Sequence, residues 1–208
     1  MNNVKIKICG IKEYDTAVFC IENSVDFLGF NFSPTSSRFI SLKDSEILIN
    51  NIYKNNYQNK FEIIGLFFKT SEDVIFDVIK SGLFNSFQYV VHDYSFNRNL
   101  YDNKNSFIPQ IGIENEITDS DLNYNDELLI LDSFNKSLGG GSGSVFPWQN
   151  IKNIKRRYLL AGGLNPDNVS SAIESLNPYG VDVASGVEDS PGIKNHDKIR
   201  RFIENARR

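Results

Sequence analysis

Two cysteines and two histidines are all that the 208 residues contain. Two cysteines cannot make a disulfide framework in a chain this long. Cys9 closes an apolar run and Cys20 sits in a helix-like stretch, so nothing pairs them and both read as free thiols. With His92 and His196 as the sole histidines, no metal cluster can be proposed, and His196 reads as a surface residue. No run approaches the roughly 20 apolar residues of a membrane span, and the first residues are polar, without a signal-peptide pattern. The sequence therefore predicts a soluble, cytoplasmic protein with no membrane partner. Excess positive charge is absent too. The net charge is −4, the isoelectric point is near 5.3, and the longest basic cluster is Lys155-Arg156-Arg157, which argues against a nucleic-acid partner.

What is present is a core: 40% of residues are hydrophobic and 12% aromatic, enough for one domain rather than two small ones. Short apolar runs recur at Val4–Cys9, Phe27–Phe32, Glu62–Phe68, Phe87–Val91, Phe107–Gly112, Leu128–Asp132, Tyr158–Ala161 and Gly180–Ala184. Between them lie stretches with apolar residues at helical spacing: Lys12–Asn23, Leu42–Tyr53, Ser71–Ser81, Asp167–Leu176 and Asp197–Arg207. Such alternation predicts an α/β fold with a parallel sheet. Eight units in this length predict a closed (βα)8 TIM barrel, one domain over residues 1–208. The Asn-rich Tyr94–Ser106 is a weak candidate for the fourth helix, and Thr118–Asn125 predicts a short fifth one.

Side chains alternate along a strand, so Lys5, Lys7 and Cys9 share one face and Ile6 and Ile8 the other. The isoleucines suit the helix layer, which turns Cys9 into the barrel mouth with Lys7 below it. By the same parity Asp132 ends the sixth strand facing inward, and Asp182 and Ala184 face inward on the eighth. Asp182 is either a buried partner of Lys7 or a contact to a substrate.

Glycine turns close the seventh and eighth strands: Ala161-Gly162-Gly163-Leu164-Asn165-Pro166, with Asn165 as a helix N-cap, and Ala184-Ser185-Gly186-Val187-Glu188, which could open one extra helical turn. Backbone N–H groups of such turns, after the last strands of a barrel, suit a phosphate; Gly162, Gly163, Ser185 and Gly186 are the candidates. A third stretch, Gly139-Gly140-Gly141-Ser142-Gly143-Ser144, is either a flexible linker or a mobile loop that closes over the phosphate through Gly141 and Gly143, before a helix opened by Pro147.

These segments, in order, resemble the phosphoribosylanthranilate isomerase family over nearly the whole chain. The resemblance rests on Lys7-Ile8-Cys9-Gly10-Ile11, Leu28-Gly29-Phe30-Asn31-Phe32 with Ser33 to Ile40, Leu131-Asp132-Ser133 and the late glycine turns through Pro191-Gly192-Ile193-Lys194. It implies an Amadori rearrangement of an aminoaldose phosphate to an aminoketose phosphate, the third step from chorismate toward tryptophan, without cofactor or metal, by a monomer or homodimer. It also implies Cys9 as general base, Asp132 as general acid, and Arg38 as the contact to the anthranilate carboxylate, suited to a bidentate guanidinium. Gln88 and Asp182 would touch the substrate. As acid, Asp132 must be partly protonated, for which an apolar surround is expected; as base, Cys9 would be helped by Lys7 beneath it. The fourth strand departs from the family pattern, since His92 comes two residues late and Asp93 replaces a glycine. Two other readings stand beside this one. The histidine-pathway aminoaldose isomerase resembles an aspartate at the position of Cys9 and acts on a doubly phosphorylated substrate, and a non-catalytic phosphosugar-binding barrel would have lost Cys9, Asp132 or Arg38.

Overall fold

A computed structural model describes residues 4–208 apart from 58–60, 94, 95, 102, 103, 123, 125 and 133–147. Eight parallel strands close on themselves: β1 (Lys5–Cys9), β2 (Phe27–Asn31), β3 (Glu62–Phe67), β4 (Ser86–Val90), β5 (Phe107–Gly112), β6 (Leu129–Asp132), β7 (Tyr158–Leu160) and β8 (Gly180–Val183). The seam is β1 against β8, with Lys7 opposite Asp182. Around the barrel run α1 (Tyr14–Glu22), α2 (Leu42–Lys54), α3 (Glu72–Lys80), α4 (Val169–Leu176) and α5 (His196–Ala206).

Strand parity sorts the core into two layers. Ile6, Ile8, Leu28, Leu131, Val181 and Val183 pack outward against the helices. A separate cluster of Phe27, Ile64, Ile108, Ile130, Leu159 and Ala161 comes from the opposite strand faces and plugs the barrel. A barrel filled this way is a packed core, so a ligand site can exist only at its ends.

Local sequence sets where the helices start. Ser41 caps α2 by accepting from the Asp44 N–H at 3.1 Å, and Asn195 caps α5 by accepting from the Lys198 N–H at 2.9 Å. Ile199, Phe202, Ile203 and Ala206 then form the buried stripe of α5. Its first residue is no plain surface group: His196 stacks on Phe19 of α1 at 4.4 Å and meets the Thr16 hydroxyl at 3.2 Å.

The structure differs from the sequence expectation between β4 and β7. Where a fourth helix was predicted, the described residues hold a single 3-10 turn, Arg98–Leu100. Rings cover the barrel there instead: Phe96 stacks on Tyr89 at 4.6 Å and on Tyr101 at 5.6 Å, and reaches Phe107 at 5.8 Å. The aromatic side chains of this otherwise Asn-rich segment thus bury the strand faces without a helix. The fifth helix is likewise reduced to the 3-10 turn Asp119–Asp121, closed by a Thr118–Asp121 capping box. Of the helix expected to open at Pro147, the described part is the 3-10 turn Trp148–Asn150. At the seventh unit, α4 begins one turn later than Asn165 would set it. Asn165 and Asn168 instead cap each other's turn: the Asn165 N–H donates to Asn168 Oδ1 at 2.8 Å, and Asp167 N–H donates to Asn165 Oδ1 at 2.8 Å. No helix among the described residues is long and apolar enough to cross a membrane.

Candidate active site

All eight strands point their C-terminal ends at one mouth, where a cavity of about 300 Å³ opens. Cys9 and Asp132, the last residues of β1 and β6, both line it. Each is reached by strand parity alone.

Space for the thiol comes from the neighbouring strand. Gly29 on β2 pairs in register with Cys9, and a β-carbon at residue 29 would stand 2.9 Å from the Cys9 sulfur. Directly after the cysteine, Gly10 takes φ +83°, and the stem of Arg38 lies over it, so that a β-carbon there would come within 2.7 Å of Arg38 Cδ. The Cys-Gly pair therefore places the thiol and seats the arginine.

Arg38 is aimed by the loop after β2. Ser33 N–H donates to Asn31 Oδ1 at 2.8 Å, and the Asn31 amide and the Arg38 N–H both donate to the Ser36 hydroxyl, at 3.2 and 3.1 Å. The guanidinium lines the cavity, but its fork is already engaged. Nε and Nη2 donate to the two carboxylate oxygens of Glu188, each at 2.8 Å. Neither of these two bonds uses Nη1.

Glu188 also accepts from Lys194 Nζ at 2.8 Å and from the Gly192 N–H at 3.2 Å. Burial pushes this carboxyl up, yet the Arg38 fork and the Lys194 ammonium outweigh that and hold it below the usual glutamate range. Lys194 itself is pushed below the usual lysine range: its burial is deep, the Glu188 charge it meets is shared with Arg38, and Arg38 repels it. Neither Glu188 nor Lys194 had been given a role from sequence. Their signal was position, since both follow the eighth strand in a short antiparallel ribbon of Glu188–Ser190 with Ile193–Lys194.

Beneath the thiol, Lys7 is fully buried and donates to Asp182 Oδ2 at 2.9 Å and to Gln88 Oε1 at 2.8 Å. Burial opposes its charge, but Asp182 and then Cys9 favour it more strongly, and the ammonium is held above the usual lysine range. Lys194 also feels the charge of Cys9. Lys7 and Lys194 are thus the two buried cations whose charge couples to the thiol. Asp182 is the buried partner of Lys7 through Oδ2, while its Oδ1 has no hydrogen-bond partner among the described residues, in a residue that lines the cavity.

Gln88 lines the cavity as well, yet its amide is used within the barrel: Nε2 donates to Gln110 Oε1 at 2.7 Å, and Gln110 Nε2 donates to Asp132 Oδ2 at 2.6 Å. Sequence reasoning passed over Gln110. A single amide on the inward face of an otherwise apolar strand, in phase with Ile108, was the available signal. Asp93, which departs from the family pattern, accepts from the Lys69 N–H and ties the loop after β3 to the loop after β4.

On the opposite side, Gly162, Gly163 and Ser185 line the cavity. Gly186 does not. A β-carbon on it would lie 1.9 Å from the Leu164 carbonyl oxygen, so its bare backbone is what lets the loops after β7 and β8 touch. The extra turn expected after β8 is a 3-10 turn, Ser185–Val187. Gly141 and Gly143 lie outside the described residues. Among the described residues, no group of three metal-ligating side chains is found.

A closed parallel barrel whose catalytic end gathers a thiol, a carboxylic acid, an arginine and two glycine turns is the architecture of a (βα)8-barrel enzyme. Comparison with known proteins narrows the class. The family model of N-(5'-phosphoribosyl)anthranilate isomerase matches residues 6–205. The isomerase of Leptospira borgpetersenii is 44% identical over 208 residues, covering 98% of this chain and 94% of that protein. The crystal structure of the isomerase from Thermotoga maritima superposes with a TM-score of 0.80 at 32% identity, covering 98% of each chain. A further solved isomerase, in complex with reduced 1-(o-carboxyphenylamino)-1-deoxyribulose 5-phosphate, gives a TM-score of 0.77 at 31% identity with 98% of each chain covered. The chain belongs to the phosphoribosylanthranilate isomerase family, enzymes of tryptophan biosynthesis.

Proposed function

We propose that this protein converts N-(5'-phosphoribosyl)anthranilate to 1-(2-carboxyphenylamino)-1-deoxyribulose 5-phosphate at the barrel mouth, with Cys9 as base and Asp132 as acid. The observation that carries the assignment of roles is their convergence: both end inward-facing strands and both line one cavity with Arg38 and the late glycine turns. A cytoplasmic location is part of this proposal, supported by action on an intermediate of amino-acid biosynthesis.

The chemistry follows from the residue types. Asp132 delivers a proton to the ribose ring oxygen as the bond from that oxygen to the anomeric carbon breaks, and the nitrogen lone pair forms a protonated Schiff base. That cation acidifies the proton on the adjacent sugar carbon. The Cys9 thiolate, its charge coupled to Lys7 and Lys194, removes it to leave an enolamine, and ketonisation gives the product. Asp182 Oδ1 accepts from the linking nitrogen or a sugar hydroxyl. Arg38 Nη1 meets the anthranilate carboxylate while Glu188 keeps the rest of the guanidinium still. Backbone N–H groups at Gly162, Gly163 and Ser185, with Gly141 and Gly143, hold the phosphate, while Gly186 keeps the two turns together.

The test is a fluorescence assay of phosphoribosylanthranilate consumption by the purified protein. Wild type should turn it over, and Cys9→Ser and Asp132→Asn should each lower kcat by roughly 10²- to 10⁴-fold, the usual worth of a general acid or base. An inactive wild type, or an Asp132→Asn variant with full activity, would sink the reading. Turnover of the histidine-pathway aminoaldose instead would replace it with that rival.

A further inference from the structure

Five polar side chains form one unbroken chain across the inside of the barrel: Asp182, Lys7, Gln88, Gln110 and Asp132, on β8, β1, β4, β5 and β6. All five are buried, and the four links measure 2.9, 2.8, 2.7 and 2.6 Å in that order. An ammonium has donors and no acceptor, so the atom of Gln88 that meets Lys7 must be its carbonyl oxygen. The Gln88 amide nitrogen then faces Gln110, which must answer with its own oxygen. Gln110 is left presenting N–H to Asp132. The polarity of the whole relay is thus set at Lys7, by chemistry rather than by an arbitrary choice between amide oxygen and nitrogen.

The geometry points to Gln110 as a positioning residue for the acid step: it occupies Asp132 Oδ2 as a donor, so the proton that Asp132 delivers resides on Oδ1. A proton on Oδ2 would leave the Gln110 N–H a hydroxyl oxygen, the weaker acceptor of the two, in place of a carbonyl oxygen. As Asp132 gives its proton away and becomes a carboxylate, the same N–H, backed by the aligned Gln88 amide and the Lys7 charge, stabilises the charge that develops. One relay therefore orients the acid and favours its conjugate base, and through Lys7 it reaches the neighbourhood of Cys9. The inference rests on the isomerase reading and adds a residue that lines the cavity and acts through Asp132.

Steady-state kinetics on two variants tests it. Gln110→Met keeps the length and removes both polar atoms; kcat should fall about tenfold or more while KM stays within about twofold, the pattern for an interaction that strengthens in the transition state without contributing to substrate binding. Gln110→Glu can donate to Oδ2 only when protonated. Its kcat relative to wild type should therefore rise as pH falls from about 8 to about 6, because burial beside Asp132 raises the introduced carboxyl; the other charged groups around this end of the barrel, Cys9, Lys7, Arg38, Asp182, Glu188 and Lys194, are common to all three proteins. A Gln110→Met kcat within twofold of wild type overturns the proposal. So does a Gln110→Glu ratio that is flat with pH, which decides alone should the Met variant not fold. Wild-type turnover tests the isomerase reading itself, so the two can fail separately.

Discussion

Arg38 and Glu188, 150 positions apart, meet fork to fork with both nitrogen–oxygen distances at 2.8 Å. The pair joins the loop after β2 to the turn after β8, across β1. It leaves Arg38 one nitrogen to offer and makes Glu188 the residue that holds that nitrogen in place.

Glu188 binds its proton less readily in the folded protein than in the unfolded chain, so its contribution to stability is complete above the unfolded value of about 4.3 and is lost as pH falls through its lower folded value. Glu188→Gln should be less stable than wild type at neutral pH by about 3 kcal/mol, the lower end for breaking a buried pair. The gap should narrow on acidification below about pH 4. Urea unfolding at a series of pH values measures both, and a gap that stays constant would refute the assignment.

Lys7 is the other buried cation. Lys7→Met should cost about 3–5 kcal/mol because it strands the Asp182 carboxylate inside the barrel. Adding Asp182→Leu removes the stranded charge, so the double variant should be more stable than Lys7→Met alone. Chemical denaturation of the three proteins checks the sign, and additive losses would mean that the two side chains do not act as a pair.

Gly186→Ala places a methyl group against the Leu164 carbonyl and forces the two glycine turns apart. A loss of about 1–3 kcal/mol is expected for overpacking against backbone. KM should rise more than kcat falls, since the turns at issue are the proposed phosphate seat. Gly82→Ala, whose added carbon meets nothing within 4 Å, is the control for backbone strain without collision; it should leave KM unchanged.

Burial pushes the Cys20 thiol up to about 12, whereas Cys9 opens on the cavity. Iodoacetamide should therefore label one thiol in the folded protein, at Cys9, with activity lost in parallel and substrate protecting against both. Mass spectrometry of the labelled peptides decides, and modification of Cys20 at a similar rate would contradict the packing around α1.

Much of the site could be read before folding was considered, for a definite reason. Whether Cys9 or Asp132 faces in or out depends on strand parity, a property of five or six consecutive residues, and the glycine turns announce themselves by composition. The helices after β4 and β5 were expected from the βα repeat rather than from a strong local period, and after β4 aromatic rings cover the strands from a coil instead. Gln88 could be placed on its strand, but its partners could not be named.

The chain by itself determined the number of strands, the inward direction of Cys9, Lys7, Asp132 and Asp182, and the glycine turns at the end where they meet. Only the tertiary structure decided which of these groups touch. Barrel closure brings Asp182 to Lys7, strand register strings Gln88 and Gln110 between Lys7 and Asp132, and the meeting of two loops turns Arg38 onto Glu188. Those contacts join residues far apart in sequence, and each depends on a stagger between strands that local pattern does not encode.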